Sequence, residues 1–187
     1  MRNAKCKLLN VLPRSFFNRP TLKVAKELLG KVLVIGKCSG RINETEAYIG
    51  EGDPACHACR GKTKRNKIMY GPAGHLYVYF TYGMYHCANI VTEKKNFPAA
   101  VLLRSVEPMN GKELMKKRRN KDSHLADGPG KLCIAMGMDK KSHNGADLCK
   151  GDDDCFVYDD GFRPKKIHSS PRIGIRNGLD KMWRFYY

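Results

Sequence analysis

Acidic residues are scarce in this chain. Its 187 residues hold 18 Asp and Glu against 35 Lys and Arg, giving a formal net charge of +17. A surface of that sign attracts phosphates without regard to sequence and in a salt-sensitive way, which favours a nucleic-acid partner; a merely solubilising surface is the plainer reading. Long apolar runs are also missing. The mean hydropathy is −0.52, and no stretch approaches the roughly 20 apolar residues a membrane-spanning helix needs, so no membrane partner is expected. After the basic start Met1 to Lys7, the only apolar pairs are Leu8-Leu9 and Val11-Leu12. That is too short for the core of a secretion signal, so the chain is expected to stay inside the cell: nucleus in a eukaryote, cytoplasm or nucleoid otherwise. The eight cysteines show no pair-of-pairs spacing and read as reduced thiols. Internal repeats and regular βαβ alternation are absent too.

What is present is a mixed pattern. Thr21 to Gly30 has helical spacing, with Thr21 placed to cap it and Gly30 to end it. Lys31 to Ile35 and Arg41 to Tyr48 read as strands around a turn at Cys38-Ser39-Gly40. Gly50 to Gly74 reads as loop with one short helix. Leu76 to Tyr82 alternates strongly, and Cys87 to Thr92 and Ala99 to Arg104 continue as strands. Met109 to Arg119 reads as an exposed basic helix, and Pro129 to Met136 as a helix started by proline and stopped by Gly137. The run Lys116 to Lys121 suits a solvated helix face or an import signal equally. Gly151 to Asp154 reads as a solvated acidic turn. Arg172 to Ile175 and Trp183 to Tyr187 read as closing strands. The expectation is one α+β domain over residues 1–187, built on a largely antiparallel sheet.

The chemistry-bearing residues lie on two of these strands. At period two, Ile42, Glu44, Glu46 and Tyr48 share a face, and one carboxylate is a candidate general base. Two solvated acids on an exposed strand are the bland alternative. Tyr77 and Tyr79 share a face of the later strand. If the strands are neighbours, a planar ligand can stack between rings above a carboxylate; equally, the rings can simply pack the core. Tyr82-Gly83-Met84-Tyr85 forms a hairpin tip, where Tyr82 is either a wedge for separating base pairs or a corner residue. Cys56-His57-Ala58-Cys59 is a lone Cys-x-x-Cys without two further ligands, so no metal is expected. A zinc-deaminase order also fails, because no His precedes Glu46 in the required place.

These residues, taken with Asp53, His57, Lys64-Arg65-Asn66, Asn89-Ile90, Val101 to Arg104, Glu107-Pro108, Gly128 to Cys133 and Arg172-Ile173-Gly174, occur in one order. In that order the chain resembles the alkyladenine (methylpurine, 3-methyladenine) DNA glycosylases of the mammalian type. The resemblance covers nearly the whole chain, least at Asp139 to His168. It implies a curved antiparallel sheet with flanking helices and a protruding hairpin that carries an intercalating tyrosine, Tyr82. It implies double-stranded DNA with damaged purines as partner, a monomer, no cofactor, and hydrolysis of the N-glycosidic bond without strand cleavage. The position of Glu46 is then the base that activates water. Arg104 holds that water and a phosphate, and the Ile173 carbonyl touches the water. Tyr48, His57 (through its backbone amide) and Tyr79 line the pocket, and Asn89 crowds out the amino group of guanine. The electron-rich tyrosines are expected to favour cationic alkylated purines by cation–π attraction. A non-catalytic nucleic-acid-binding module and a free-nucleoside hydrolase are the alternatives.

Overall fold

A computed structural model of the chain describes residues 10–151 and 155–187. The basic start and Asp152 to Asp154 of the acidic turn lie outside them. In chain order the elements are α1 (Arg14–Phe17), α2 (Thr21–Glu27), β1 (Val32–Ile35), β2 (Cys38–Ile49), a 3₁₀ turn (Lys67–Tyr70), β3 (Leu76–Thr81), β4 (Tyr85–Val91) and β5 (Ala99–Pro108). Then come α3 (Lys112–Arg119), α4 (Pro129–Met136), α5 (Lys140–His143), β6 (Cys155–Tyr158), β7 (His168–Ser170) and β8 (Arg184–Tyr186). The eight strands make one sheet in the order β3-β4-β5-β2-β1-β6, with β8 on β2 and β7 on β8. Every strand pairing is antiparallel, as expected for this α+β class. Among the described residues no helix is long and apolar enough to cross a membrane.

The long strand β2 organises the sheet. Along one side it pairs with β5, while its other side holds β1 at residues 38–41 and β8 at residues 44–46. Between those halves the β2–β5 register passes over Asn43 on one strand and Arg104 on the other. Such bulges re-aim side chains, and here they exchange the two faces. Before the bulge Ile42 and Val106 face the main core; after it Ala47, Leu103 and Val101 do. The expectation that Ile42 shares a face with Glu44, Glu46 and Tyr48 is therefore corrected: the irregularity flips the strand after Ile42, which is fully buried on the opposite side.

One face of the sheet is closed by α2, α3 and α4, whose Val24, Ala25, Met115, Leu132 and Met136 join the main core. Thr45 is pinned to α2 by a 2.9 Å hydrogen bond from its hydroxyl to the Ala25 carbonyl. A buried bond of this kind is worth about 1 kcal/mol, and an apolar replacement would leave the carbonyl unpaired. The start of α2 also differs from expectation. Pro20 occupies the capping position, and Glu93, from a distant turn, accepts the Thr21 N–H at 2.7 Å and the Thr21 hydroxyl at 2.9 Å. An imported carboxylate thus supplies the acceptor that the first turn requires. Gly137 ends α4 at φ 75°, as read from the sequence. Arg172 to Ile175 is not a strand; the last hairpin is β7–β8. The Ile173 N–H is spent in the site instead, on Glu46.

Candidate active site

The sheet's other face carries the site. Its register sets Tyr77 against Asn89, Asn89 against Leu102, and Leu102 against Glu46, one row across four adjacent strands. At strand spacing that row runs about 14 Å from Tyr77 to Glu46. Above it opens a cavity of about 440 Å³, lined by Tyr48, His57, Tyr77, Tyr79, Asn89, Leu102, Arg104 and Ile173, with Tyr82 at its edge. So the sequence-predicted residues converge on one slot, and Glu46 lies just beneath its lining.

Glu46 is fully buried. Its Oε1 accepts the Ile173 N–H at 2.8 Å and lies 3.2 Å from Arg104 Nη1, while its Oε2 accepts the Tyr48 hydroxyl at 2.8 Å. Burial raises its pKa; the Arg104 charge, the Ile173 N–H and the Tyr48 hydroxyl pull it back down. Arg104, passed over by the bulge, also donates to Glu44 at 2.8 Å, and Glu44 takes a second bond from Arg184 at 2.5 Å. Glu44 thus holds the arginines rather than facing the slot. Ile173 contributes its N–H here, whereas the resemblance points to its carbonyl. That bond commits one backbone donor of residues 172–175 to a side chain, so it is not available to a strand ladder.

The rings form the walls. Tyr77 and Tyr79 lie 5.5 Å apart, and the His57 imidazole packs edge-on at 4.5 Å from Tyr79. His57 Nδ1 shares a 2.9 Å hydrogen bond with the Tyr77 hydroxyl, and its carbonyl accepts from Asn66 at 2.9 Å. Burial of the ring, with the Arg65 charge, lowers the His57 pKa to about 4, so the imidazole is neutral near pH 7. Burial also raises Tyr48 and Tyr79, and pushes Tyr77 up to about 12. All three phenols therefore stay protonated and neutral. Asn89 donates to the Tyr77 carbonyl at 3.1 Å, which fixes its amide at the slot's back wall. Tyr82 stands at the tip of the β3–β4 hairpin and is 78% exposed. It and Gly83 both have positive φ, 51° and 67°, the signature of a tight hairpin turn.

One arrangement was not legible from sequence. Arg172 and Asp53, both with fully buried side chains, form a two-pronged ion pair at 2.5 and 2.7 Å. Asp53 also accepts the backbone N–H groups of Ile49 and Ala55, and Arg172 donates to the Ala47 carbonyl at 2.9 Å. The pair locks the His57 loop, β2 and the Ile173 segment together. Both residues sit inside matched motifs, but nothing in their spacing, 119 positions apart, announces that they meet. Cys56 accepts the Ala58 N–H at 3.4 Å, and burial pushes its thiol up to about 11. Among the described residues no cluster of His, Cys, Asp or Glu could hold a metal ion.

A buried carboxylate beneath a ring-walled slot, on a strongly basic chain, is equipped to grip a flat heterocycle and polarise one water against it. Comparison with known proteins gives the family. Residues 15–187 match the family described as methylpurine-DNA glycosylase (MPG). The chain is 52% identical to a Methanocella arvoryzae protein, with 94% of this chain and 92% of the relative covered. It is 50% identical to one from Sodalis glossinidius, covering 94% and 95%. A third, from Wolbachia pipientis wMel, is 48% identical over 94% and 90%. All three carry the name "Putative 3-methyladenine DNA glycosylase". The chain belongs to the methylpurine-DNA glycosylase family.

Proposed function

We propose that the chain, a DNA glycosylase for alkylated bases by family, removes 3-methyladenine, 7-methylguanine, ethenoadenine and hypoxanthine class purines from duplex DNA, with Glu46 as the base that activates water. The observation that carries this reading is the buried Glu46 bound by Arg104, Tyr48 and the Ile173 N–H directly under the tyrosine slot.

A carboxylate offers about four acceptor directions, and these partners use three. The remaining direction, on Oε2 beside the Tyr48 hydroxyl, suits a water proton. In the reaction the bond between C1′ of the sugar and the purine nitrogen breaks, and its electron pair leaves with the base. Water adds to C1′ and its proton passes to Glu46, whose charge also steadies the developing cationic sugar. The purine must first be rotated out of the stack, at a cost of a few kcal/mol. Exposed Tyr82 fills the gap, Lys and Arg contacts to phosphates offset part of the cost, and Tyr48, Tyr79 and His57 enclose the base. Asn89, held by Tyr77, is placed to crowd the amino group of guanine. No amine nucleophile is needed, so the strand stays intact until alkali treatment. One copy of the chain supplies every group named, which fits a monomer.

Duplexes carrying hypoxanthine or ethenoadenine, incubated with the protein and then treated with alkali, test the reading. Strand breaks only after alkali are expected. Breaks without alkali would contradict the hydrolytic mechanism, and no breaks in either arm would contradict the substrate assignment. Free nucleosides run beside the duplexes are expected to be left untouched, which separates this activity from nucleoside hydrolysis.

A further inference from the structure

Cation–π attraction is the obvious reason for a tyrosine slot to prefer a positively charged base. Both rings, however, already hold a cation. The Arg172 guanidinium lies 4.6 Å from the centre of the Tyr48 ring, with Trp183 on another side at 5.2 Å. The Arg65 guanidinium lies 5.3 Å from the centre of the Tyr79 ring. Tyr48 and Tyr79 line the cavity while the buried Arg172 side chain and the exposed Arg65 do not, which sets each guanidinium apart from the space a stacked base would fill. A cation on one side draws π density toward itself and weakens the ring's hold on a second cation across it. A base stacked on the inner face would place its charge about 8 Å from the guanidinium, within one Debye length.

The neighbouring charges do not restore a negative slot. Glu46 and Glu44 are matched by Arg104 and Arg184, and Asp53 is matched by Arg172. Arg65 has no carboxylate partner among the described residues. The charge around the slot is therefore neutral to slightly positive, despite the carboxylate at its floor.

Resting on the glycosylase reading above, we infer that Arg65 and Arg172 are specificity-determining residues that back the stacking rings with positive charge, so that the slot holds neutral lesion bases at least as well as cationic ones. On this account cationic lesions are lost readily because their own glycosidic bond is weak, and the protein's binding preference is directed at neutral purines.

The test compares 7-methylguanine, a cation, with hypoxanthine, which is neutral, in otherwise identical duplexes. Single-turnover excision is measured for each, and affinity is measured in a Glu46→Gln background. Arg65 is exposed, and Arg65→Gln removes its charge while keeping a donor that can reach the Tyr77 hydroxyl. It should raise the ratio of 7-methylguanine to hypoxanthine about three- to fivefold in both readouts, the size of an exposed cation–π contribution. Arg65→Lys, which keeps the charge, should leave the ratio near its starting value, and the paired change Asp53→Asn with Arg172→Gln, which removes a matched pair of charges, should move it less than Arg65→Gln does. A ratio that is unchanged or lowered in Arg65→Gln overturns the inference, and that arm decides even if the paired variant does not fold. Failure of the parent protein to excise either base would instead bring down the glycosylase reading, with the binding ratio still judging the charge effect.

Discussion

The two ends of the slot are built by opposite rules. At the floor, Glu46 has no exposed surface and is bonded from three directions by Ile173, Arg104 and Tyr48. At the lip, Tyr82 is 78% exposed at the tip of a turn with positive φ at a non-glycine residue. The floor is assembled before any ligand arrives: the bulge, the Asp53–Arg172 pair and the Glu44 arginine bridge fix each donor. The lip is a single exposed ring on a narrow hairpin, the ring proposed above to enter the duplex. The difference separates two tasks. On the proposed function, chemistry depends on groups that must not move, while capture depends on a group that must reach outward.

That separation can be broken or sharpened by substitution. The largest expected effect is on turnover. Glu46→Gln keeps the shape of the floor but cannot accept a proton, so single-turnover excision should fall by about 100- to 10,000-fold. Next is stability. Asp53→Ala leaves the Arg172 charge buried and unpaired, and should cost about 3–5 kcal/mol, read as a shift of the urea midpoint at constant slope. A shift below about 1 kcal/mol would mean that the pair is not the splint described here. At the lip, Tyr82→Ser should lower lesion-duplex affinity about tenfold, one stacking contact, while weak binding to undamaged duplex is kept.

The smallest effect concerns pH. On the proposed mechanism excision needs the Glu46 carboxylate, and burial raises its pKa above the ordinary 4.5, so activity should rise with pH through that raised ionisation. Tyr48→Phe keeps the ring but removes a hydrogen bond that favours the carboxylate. The acid limb should move to higher pH, with the plateau rate within a few-fold of the parent. A limb that stays in place, or moves to lower pH, would show that the hydroxyl does not support the ionised form.

Much of the fold was legible because its signals are local. Leu76 to Thr81 alternates and pairs as a strand, and Pro129 to Met136 begins at proline and ends at a glycine of positive φ, as its sequence states. Motif order named Glu46, Tyr48, His57, Tyr79, Asn89, Arg104 and Ile173 as candidates, and the fold gathers them at one slot with Tyr82 at its edge. What stayed hidden is set by partners far along the chain. The face switch after Ile42 arises from a register shift shared by β2 and β5, which neither strand encodes alone. The Thr21 end of α2 is capped by Glu93, 72 positions away. Arg172 to Ile175 has strand-like composition, but the Ile173 N–H goes to Glu46 and the Arg172 side chain holds Asp53 and the Ala47 carbonyl.

The measurement closest to the central claim sets Glu46→Gln beside Tyr82→Ser on one hypoxanthine duplex, recording affinity and single-turnover rate for each. The floor-and-lip account predicts that the first variant loses rate and keeps affinity, and that the second loses affinity and keeps the rate of whatever it captures. Undiminished turnover in Glu46→Gln, or a loss of rate and affinity in the same proportion in both variants, would contradict it.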